Sequence, residues 1–374
     1  MRKTQANAPW KLSRTCYKAC LSGFFAVCLS SIPWQVMAVQ VTPSGRLDLN
    51  YASPSSDAKP LRSNSIVRRA ELGIDVDFND DWTFKTRYDF TNDGEFGDVV
   101  LTYKGWQTAD ISVGQFKVPF TLDNLTSSKY IMAIERALPV AGFRPPRHVG
   151  IGFSRYREHY TFSVMGFGRS IEGDEGNGVG ARYTFAPVAS GSTLLHLGTS
   201  FVSEDPNGSV QFKAQPESKP TEVNLVNTGT LDDVSRINRL GLEMAYQTGP
   251  FTAQIEWMRT SINRQSNPNA AFGGWYVEGG WMLGGGSRRY EYGTFKSPAL
   301  GKPYGTWELT ARYSHLGLNE GGVQGGRENN LTLGLNWHLN NHGRIMFNYI
   351  RVHSDRQGVA DNPDILLMQT QFHF

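Results

Sequence analysis

Apolar side chains in this chain return at every second position, segment after segment. Leu72, Ile74, Val76 and Phe78 alternate with Glu71, Gly73, Asp75 and Asp77. Leu240, Leu242, Met244 and Tyr246 repeat the pattern, as do Trp307, Leu309, Ala311 and Tyr313, and Leu331 through Leu339. Successive side chains of a β-strand point to opposite faces, so each segment has one apolar and one polar face. The periodicity predicts strands near 45–51, 66–79, 82–91, 98–107, 110–117, 149–157, 159–168, 178–187, 194–203, 236–247, 251–262, 273–283, 306–317, 328–339, 343–354 and 365–374. That is an even number, sixteen. Connections alternate between tight (79–81, 107–109, 249–250, 340–342) and long (52–65, 118–148, 204–235, 355–364). Segment 284–305 falls on the tight side yet is far longer than a turn; it is either an elaborate turn or a missed hairpin.

Two architectures can use such strands. In a soluble sandwich the apolar faces meet in a core. In a large transmembrane barrel they face lipid, and the polar faces line water. The polar faces here carry long charged side chains: Lys85, Arg87, Asp89, Arg182, Arg239, Glu243, Glu256, Glu278, Glu308 and Arg312. With aromatics at strand ends and turns of alternating length, they favour the barrel. Beyond the first 38 residues no apolar run is long enough for a membrane helix, which leaves strands untouched as spanning elements.

The ends fit export to an outer membrane. Residues 1–38 carry Arg2, Lys3, Lys11, Arg14 and Lys18 and no acid, then an apolar stretch, then Val36-Met37-Ala38. This reads as a secretory signal ahead of a barrel domain at 39–374. Its removal takes away all three cysteines, so disulfide frameworks and thiolate metal sites are excluded. It also leaves 32 basic against 34 acidic residues. Any preference for anions must then come from the placement of charge. At the other end Leu366, Met368, Phe372 and the terminal Phe374 share one face. A last strand of this kind resembles the signal read by the bacterial outer-membrane assembly machinery.

The connection 118–148 holds the most telling chemistry. A sixteen-stranded barrel is too wide to sort small solutes by size, and a long connection folded into it would narrow it. This one, within "GQFKVPFTLDNLTSSKYIMAIERALP", supplies Ser127, Ser128, Lys129 and Arg136, with Arg144 and Arg147 following. Hydroxyls beside guanidinium groups suit a tetrahedral oxyanion. The alternative is that these are solvated loop charges and that the serines cap a short helix. On the residues alone, both readings stand.

That stretch resembles the third-loop region of the phosphate-selective porin O and P family. "RRAELGIDV" (68–76), "GGWYVEGGWML" (273–283), "GTWELTARYSHLGLN" (305–319) and "NNLTLGLNWHLNNHGRIMFNYIRV" (329–352) are similar to the same family in the same order. The resemblance implies an all-β, antiparallel transmembrane barrel with its third loop folded inward, assembled as a homotrimer among outer-membrane lipid and lipopolysaccharide. It implies facilitated diffusion of small inorganic anions, phosphate or polyphosphate among them, without cofactor, metal or nucleic acid. Ser127 and Ser128 match the family's phosphate-binding serines, Arg136 its loop arginine, and Arg68 and Arg69 its early-strand arginine pair; Lys129 joins the constriction. Two positions depart from the pattern. Asn124 stands where phosphate-specific members have lysine, and Glu71 where they have an aromatic. Both changes should weaken anion binding, with Lys117 offsetting part of the loss. A general, weakly selective porin is therefore the alternative, and a barrel-embedded hydrolase using His159 and Ser163 is the remote one.

Overall fold

The computed structural model describes residues 39–374 except 92, 174, 175, 303 and 304. The signal sequence expected at 1–38 lies outside the described residues. The first wall runs through β1 (Gln40–Pro54), β2 (Asn64–Asp77), β3 (Trp82–Asp89), β4 (Glu95–Tyr103) and β5 (Asp110–Lys117). It continues with β6 (Arg147–Tyr156), β7 (Tyr160–Phe167), β8 (Asn177–Ser190) and β9 (Thr193–Asp205). After a short β10 (Gly208–Ala214) come β11 (Val226–Thr248), β12 (Phe251–Arg264) and β13 (Ala270–Leu283). A separate hairpin, β14 (Gly286–Glu291) and β15 (Thr294–Leu300), precedes β16 (Thr306–Glu320), β17 (Val323–His338) and β18 (Gly343–Arg356). A short β19 (Val359–Asp361) precedes the last strand, β20 (Asp364–His373).

Every pairing is antiparallel, and β20 pairs with both β18 and β1, so the sheet closes on itself. Its eighteen strands include the short β10 and β19, which leaves a barrel of sixteen. Closure removes the edges that an open sheet would present to lipid. It is completed at the last residue: Gly45 N donates to Phe374 O, and Phe374 N donates to Gly45 O, each at 3.1 Å.

The alternation decides which face is which. In β16, Thr306, Glu308, Thr310, Arg312 and Ser314 are buried, while Trp307, Leu309 and Tyr313 are exposed. In β12, Gln254, Glu256 and Thr260 are buried, and Ile255 and Trp257 are exposed. Polar residues point inward and apolar ones outward, the inverse of a soluble protein and the order required of a wall between lipid and water. Trp82, Tyr103, Trp281, Trp307 and Trp337 sit at strand ends beside the short turns, where Trp307 and Trp337 stack 5.2 Å apart. This is the aromatic belt of a membrane interface.

All sixteen expected strands are present, most of them longer than the periodicity indicated. Two strands were not expected. β10 lies within the supposed loop 204–235, which also holds the first turn-facing part of β11; β19 is a three-residue strand. Segment 284–305, open between an elaborate turn and a missed hairpin, is a hairpin, and it forms a second, two-stranded sheet separate from the barrel sheet. Tyr292 and Gly293 form its turn with φ of 53° and 72°, both left-handed as a type I′ hairpin requires.

Candidate functional site

The connection between β5 and β6 contains two short helices, α1 (Leu122–Leu125) and α2 (Leu138–Phe143). It is anchored along its length by inward-facing groups of distant strands. Asn336 Nδ2 donates to Met132 O at 2.8 Å, and Arg344 donates to Ile131 O at 2.9 Å and Ser128 O at 3.2 Å. Arg312 Nη1 donates to Glu135 O at 3.0 Å, and Arg288 Nη1 to Tyr130 O at 2.6 Å. Ile134 N donates to Asn348 Oδ1 at 2.9 Å. Satisfying backbone groups in this way is what lets irregular chain be buried at all. Close approach needs missing side chains on the wall. A β-carbon on Gly280 would lie 2.8 Å from Met132 Sδ, and one on Gly274 would lie 2.7 Å from Pro139 Cβ.

The hairpin covers another part of the inner face. Arg288 pairs with Glu308, Tyr290 OH lies 2.6 Å from His196 Nδ1, and Arg182 Nη2 donates to Gly293 O at 2.8 Å. Phe295 packs with Leu122, Ala186, Leu194 and Ala245. Three of the acids on the β8–β18 side, Glu243, Glu278 and Glu308, are paired with Arg182, Arg312 and Arg288.

Among the described residues a cavity of 460 Å³ lies between β6–β8 and the hairpin turn, lined by Tyr156, His159, Thr184 and Tyr290, and two further cavities border the 118–148 connection. The first, of 490 Å³, is lined by seven basic residues (Arg46, Lys85, Arg87, Lys117, Lys129, Arg147, Lys296) against the acids Glu71 and Asp98. Ser127, Ser128 and Tyr130 also border it. Asp98 is already held by Lys85 at 2.7 Å and Arg147 at 2.8 Å. The second, of 330 Å³, is lined by six basic residues (Arg68, Arg69, Arg136, Arg144, Lys213, Lys219) against Glu135 and Glu217. Ser128 borders both cavities.

Ser128 is held at that junction by Arg46. The Arg46 Nη1 group donates to Ser128 Oγ at 2.8 Å, while Nε and Nη2 grip Asp48 at 2.9 and 2.6 Å. Asp48 is fully buried and also receives Arg69 at 3.3 Å. One carboxylate thus orients two guanidinium groups, one for each cavity.

The residues singled out from the sequence separate in an orderly way. Ser127, Ser128, Lys129, Lys117 and Glu71 border the first cavity; Arg68, Arg69, Arg136 and again Ser128 border the second. Arg136 donates to Thr126 O at 2.9 Å and faces Asp123 at 3.4 Å, so much of its capacity is spent within the loop. Arg68 forms a two-pronged pair with Glu135, at 2.6 and 3.1 Å. Burial alone would raise the Glu135 carboxyl, but Arg68 holds it below the usual range. Asn124 is buried, donates to Phe120 O at 3.1 Å, and borders neither cavity. Its carbonyl instead receives Lys117 Nζ at 2.5 Å. Glu71 lies 3.5 Å from Arg69 Nε. His159 Nδ1 lies 3.1 Å from Ala186 O, and Ser163 Oγ accepts from Ser154 Oγ at 3.1 Å, so the two do not pair with each other.

Sequence reasoning missed Arg46 and Lys296 altogether. Arg46 had a signal: Leu47, Leu49 and Tyr51 face outward, so residue 46 must face inward. Lys296 had none, because its hairpin was not recognised.

Comparison with known proteins gives a consistent result. Residues 39–374 match the profile of the family described as "Phosphate-selective porin O and P". Porin O of Pseudomonas aeruginosa is 24% identical over 336 residues, covering 77% of this chain and 76% of that protein. An anion-selective porin from Comamonas acidovorans has a similar structure, with a TM-score of 0.60 at 14% identity over 90% of this chain and 100% of its own. The trimer form of OmpT, an outer membrane protein of Vibrio cholerae, gives 0.56 at 12% identity over 90% and 100%. At such identities the two structures speak for the fold alone.

Proposed function

This chain belongs to the phosphate-selective porin O and P family, and from that premise we propose that its pore selects small oxyanions at Ser128. The protein is an outer-membrane porin, a bacterial β-barrel channel rather than an enzyme. The observation that carries the selectivity reading is that one hydroxyl joins two cavities whose linings are each basic in excess. An anion in the first cavity meets Ser128 beside Arg46, and one in the second meets Ser128 beside Arg68, Arg69 and Arg136. Phosphate suits that geometry, because guanidinium and hydroxyl donors match its oxygens from several directions. The 118–148 connection is, on this reading, the constriction. The end with short turns faces the periplasm, residues 1–38 are the export signal, the Phe374 strand is read by the outer-membrane assembly machinery, and the barrel works as a homotrimer.

The test is a planar-bilayer measurement under a KCl gradient with added phosphate. The zero-current potential should have the anion-selective sign, and phosphate should block chloride current. Ser127→Ala with Ser128→Ala should keep the sign and weaken the block by roughly 10–30-fold, since two hydroxyl bonds contribute about 1 kcal/mol each. Anion selectivity without block would instead favour the general porin, which Glu71 in the first cavity argues for. A near-zero or cation-selective potential would remove the anion reading.

Selectivity should also depend on pH. Burial, reinforced by Arg87 and Arg46, pushes the Lys129 ammonium down to about 8. A lysine so depressed loses its charge as pH rises through that value. The anion-to-cation permeability ratio should therefore fall between pH 7 and pH 9. Lys129→Arg, which stays protonated, should flatten the curve; a curve as steep as that of the parent would assign the titration elsewhere.

A further inference from the structure

We propose that Glu217 is the pin that fastens the 206–225 connection to the pore constriction, so that the two connections behave as one body. The proposal rests on the channel reading above and concerns what holds its second cavity in shape. Glu217 comes from the long connection between β9 and β11, yet its carboxylate is buried among groups of three other elements. Oε2 accepts from Arg312 Nε at 3.2 Å, Arg312 Nη2 at 2.6 Å and Thr332 Oγ1 at 2.8 Å. Oε1 accepts from Ser314 Oγ at 2.6 Å and from Leu138 N at 3.1 Å. The last bond matters most, because Leu138 opens α2 of the constriction connection and Ala137 before it caps nothing with its side chain. Glu217 thus satisfies a helix donor that has no partner within the helix.

The backbone supports a positioning role. Glu217 has φ of 52°, in the left-handed region that a β-carbon disfavours, and Glu222 a few residues on has φ of 56°. Such a conformation persists only where surrounding contacts over-determine it. The contacts here are those five bonds and the packing of Leu225 with Ile134 of the constriction connection. Arg312 completes the link, since its third nitrogen donates to Glu135 O. What the pin positions is basic: Lys213 and Lys219, on either side of Glu217, line the second cavity with Arg68 and Arg144.

A pin and a mere charge make opposite predictions. If Glu217 acted only as a negative charge near the path, removing the charge would raise anion preference and leave conductance alone. If it acts as a pin, shortening it at constant charge frees the connection. The experiment compares E217D, which keeps the charge and loses one methylene of reach, with E217Q, which loses the charge and turns an amide NH₂ toward the donors of one side. Single-channel conductance, current noise and zero-current potential are read from purified full-length channels. Heat-modifiable migration on a gel confirms that each barrel is folded.

E217D is expected to raise conductance by roughly twofold, as a segment filling a wide barrel is released, with added flicker and a lower anion-to-cation ratio. E217Q, whose NH₂ group would face either Arg312 and Thr332 or Ser314 and Leu138, loses part of the pin and is expected to move conductance in the same direction. Parent-like conductance and noise in E217D, with only the zero-current potential changed in E217Q, overturns the pin. Should E217D not fold, Ser314→Ala with Thr332→Val removes two of the donors at constant charge. The pair should shift conductance in the same direction, and an unchanged channel would again overturn the proposal. A parent protein that conducts nothing would overturn the channel reading instead.

Discussion

A channel lacking residues 286–300, with Gly285 joined directly to Gly301, is expected to conduct roughly twice the parent current or more, and to lose most of its anion preference. The junction is feasible because a β-carbon on Gly301 would already lie 2.4 Å from the Gly285 carbonyl carbon. The hairpin fills the interior where Glu243, Glu278 and Glu308 lie. Its removal opens a second path beside the basic one, and that path lacks the basic excess, because Glu243 and Glu278 stay paired with Arg182 and Arg312. Both effects on selectivity have the same sign, since Lys296 also leaves the first cavity. Glu308 would lose Arg288 and keep only His338 and Asn336. A buried carboxylate without its cation is strongly destabilising, so Glu308→Gln belongs in the same variant. Conductance and zero-current potential in a planar bilayer give the answer. An unchanged conductance would mean that the 118–148 connection closes that side unaided.

The second large effect is expected at Arg46. Arg46→Ala should weaken phosphate block by roughly 10–100-fold, corresponding to about 1.5–3 kcal/mol for a hydrogen bond made by a charged group. The cation itself is lost, and so is the donor that holds the Ser128 hydroxyl at the junction. A further consequence falls on Asp48, which is fully buried and would be left with Arg69 and Gln371. Its uncompensated charge would draw Arg69 away from the second cavity. Arg46→Lys separates these contributions. It restores a charge near Asp48, but a point charge cannot grip the carboxylate and reach Ser128 together. Block that recovers fully in the lysine variant would reduce Arg46 to its charge alone. Block that stays within twofold of the parent in Arg46→Ala would remove Ser128 and Arg46 from the binding site.

Strand periodicity was legible because it is a local property. A residue on a lipid-facing wall must alternate with one on the inner face, whatever the rest of the chain does. Inserted elements obey no such rule. The hairpin turns at Tyr292-Gly293 rather than at an Asn-Gly pair, so its best short-range signal was absent. β10 did carry that signal, at Asn207-Gly208, with φ of 56° and 87°, and the long-loop reading of 204–235 passed over it. Glu217 was illegible for another reason. Nothing in "QPESKP" distinguishes a buried acid from a solvated one, because its five partners lie on residues 138, 312, 314 and 332.

The sequence by itself determined the class of fold, the orientation of the two faces and the export to an outer membrane. Each follows from short-range pattern: a period of two, turns of alternating length, and a terminal aromatic strand. It also named Ser127, Ser128, Lys129, Arg136, Arg68 and Arg69. Only the tertiary structure decided which charges remain available. Arg136 is largely taken up by Asp123 and a backbone carbonyl, Arg68 is paired with Glu135, and Asn124 is turned away. Arg46, absent from that list, stands at the junction of the cavities. The physical reason is that the strength of a charge depends on its burial and its nearest partner, and in a closed barrel those partners come from strands hundreds of residues apart.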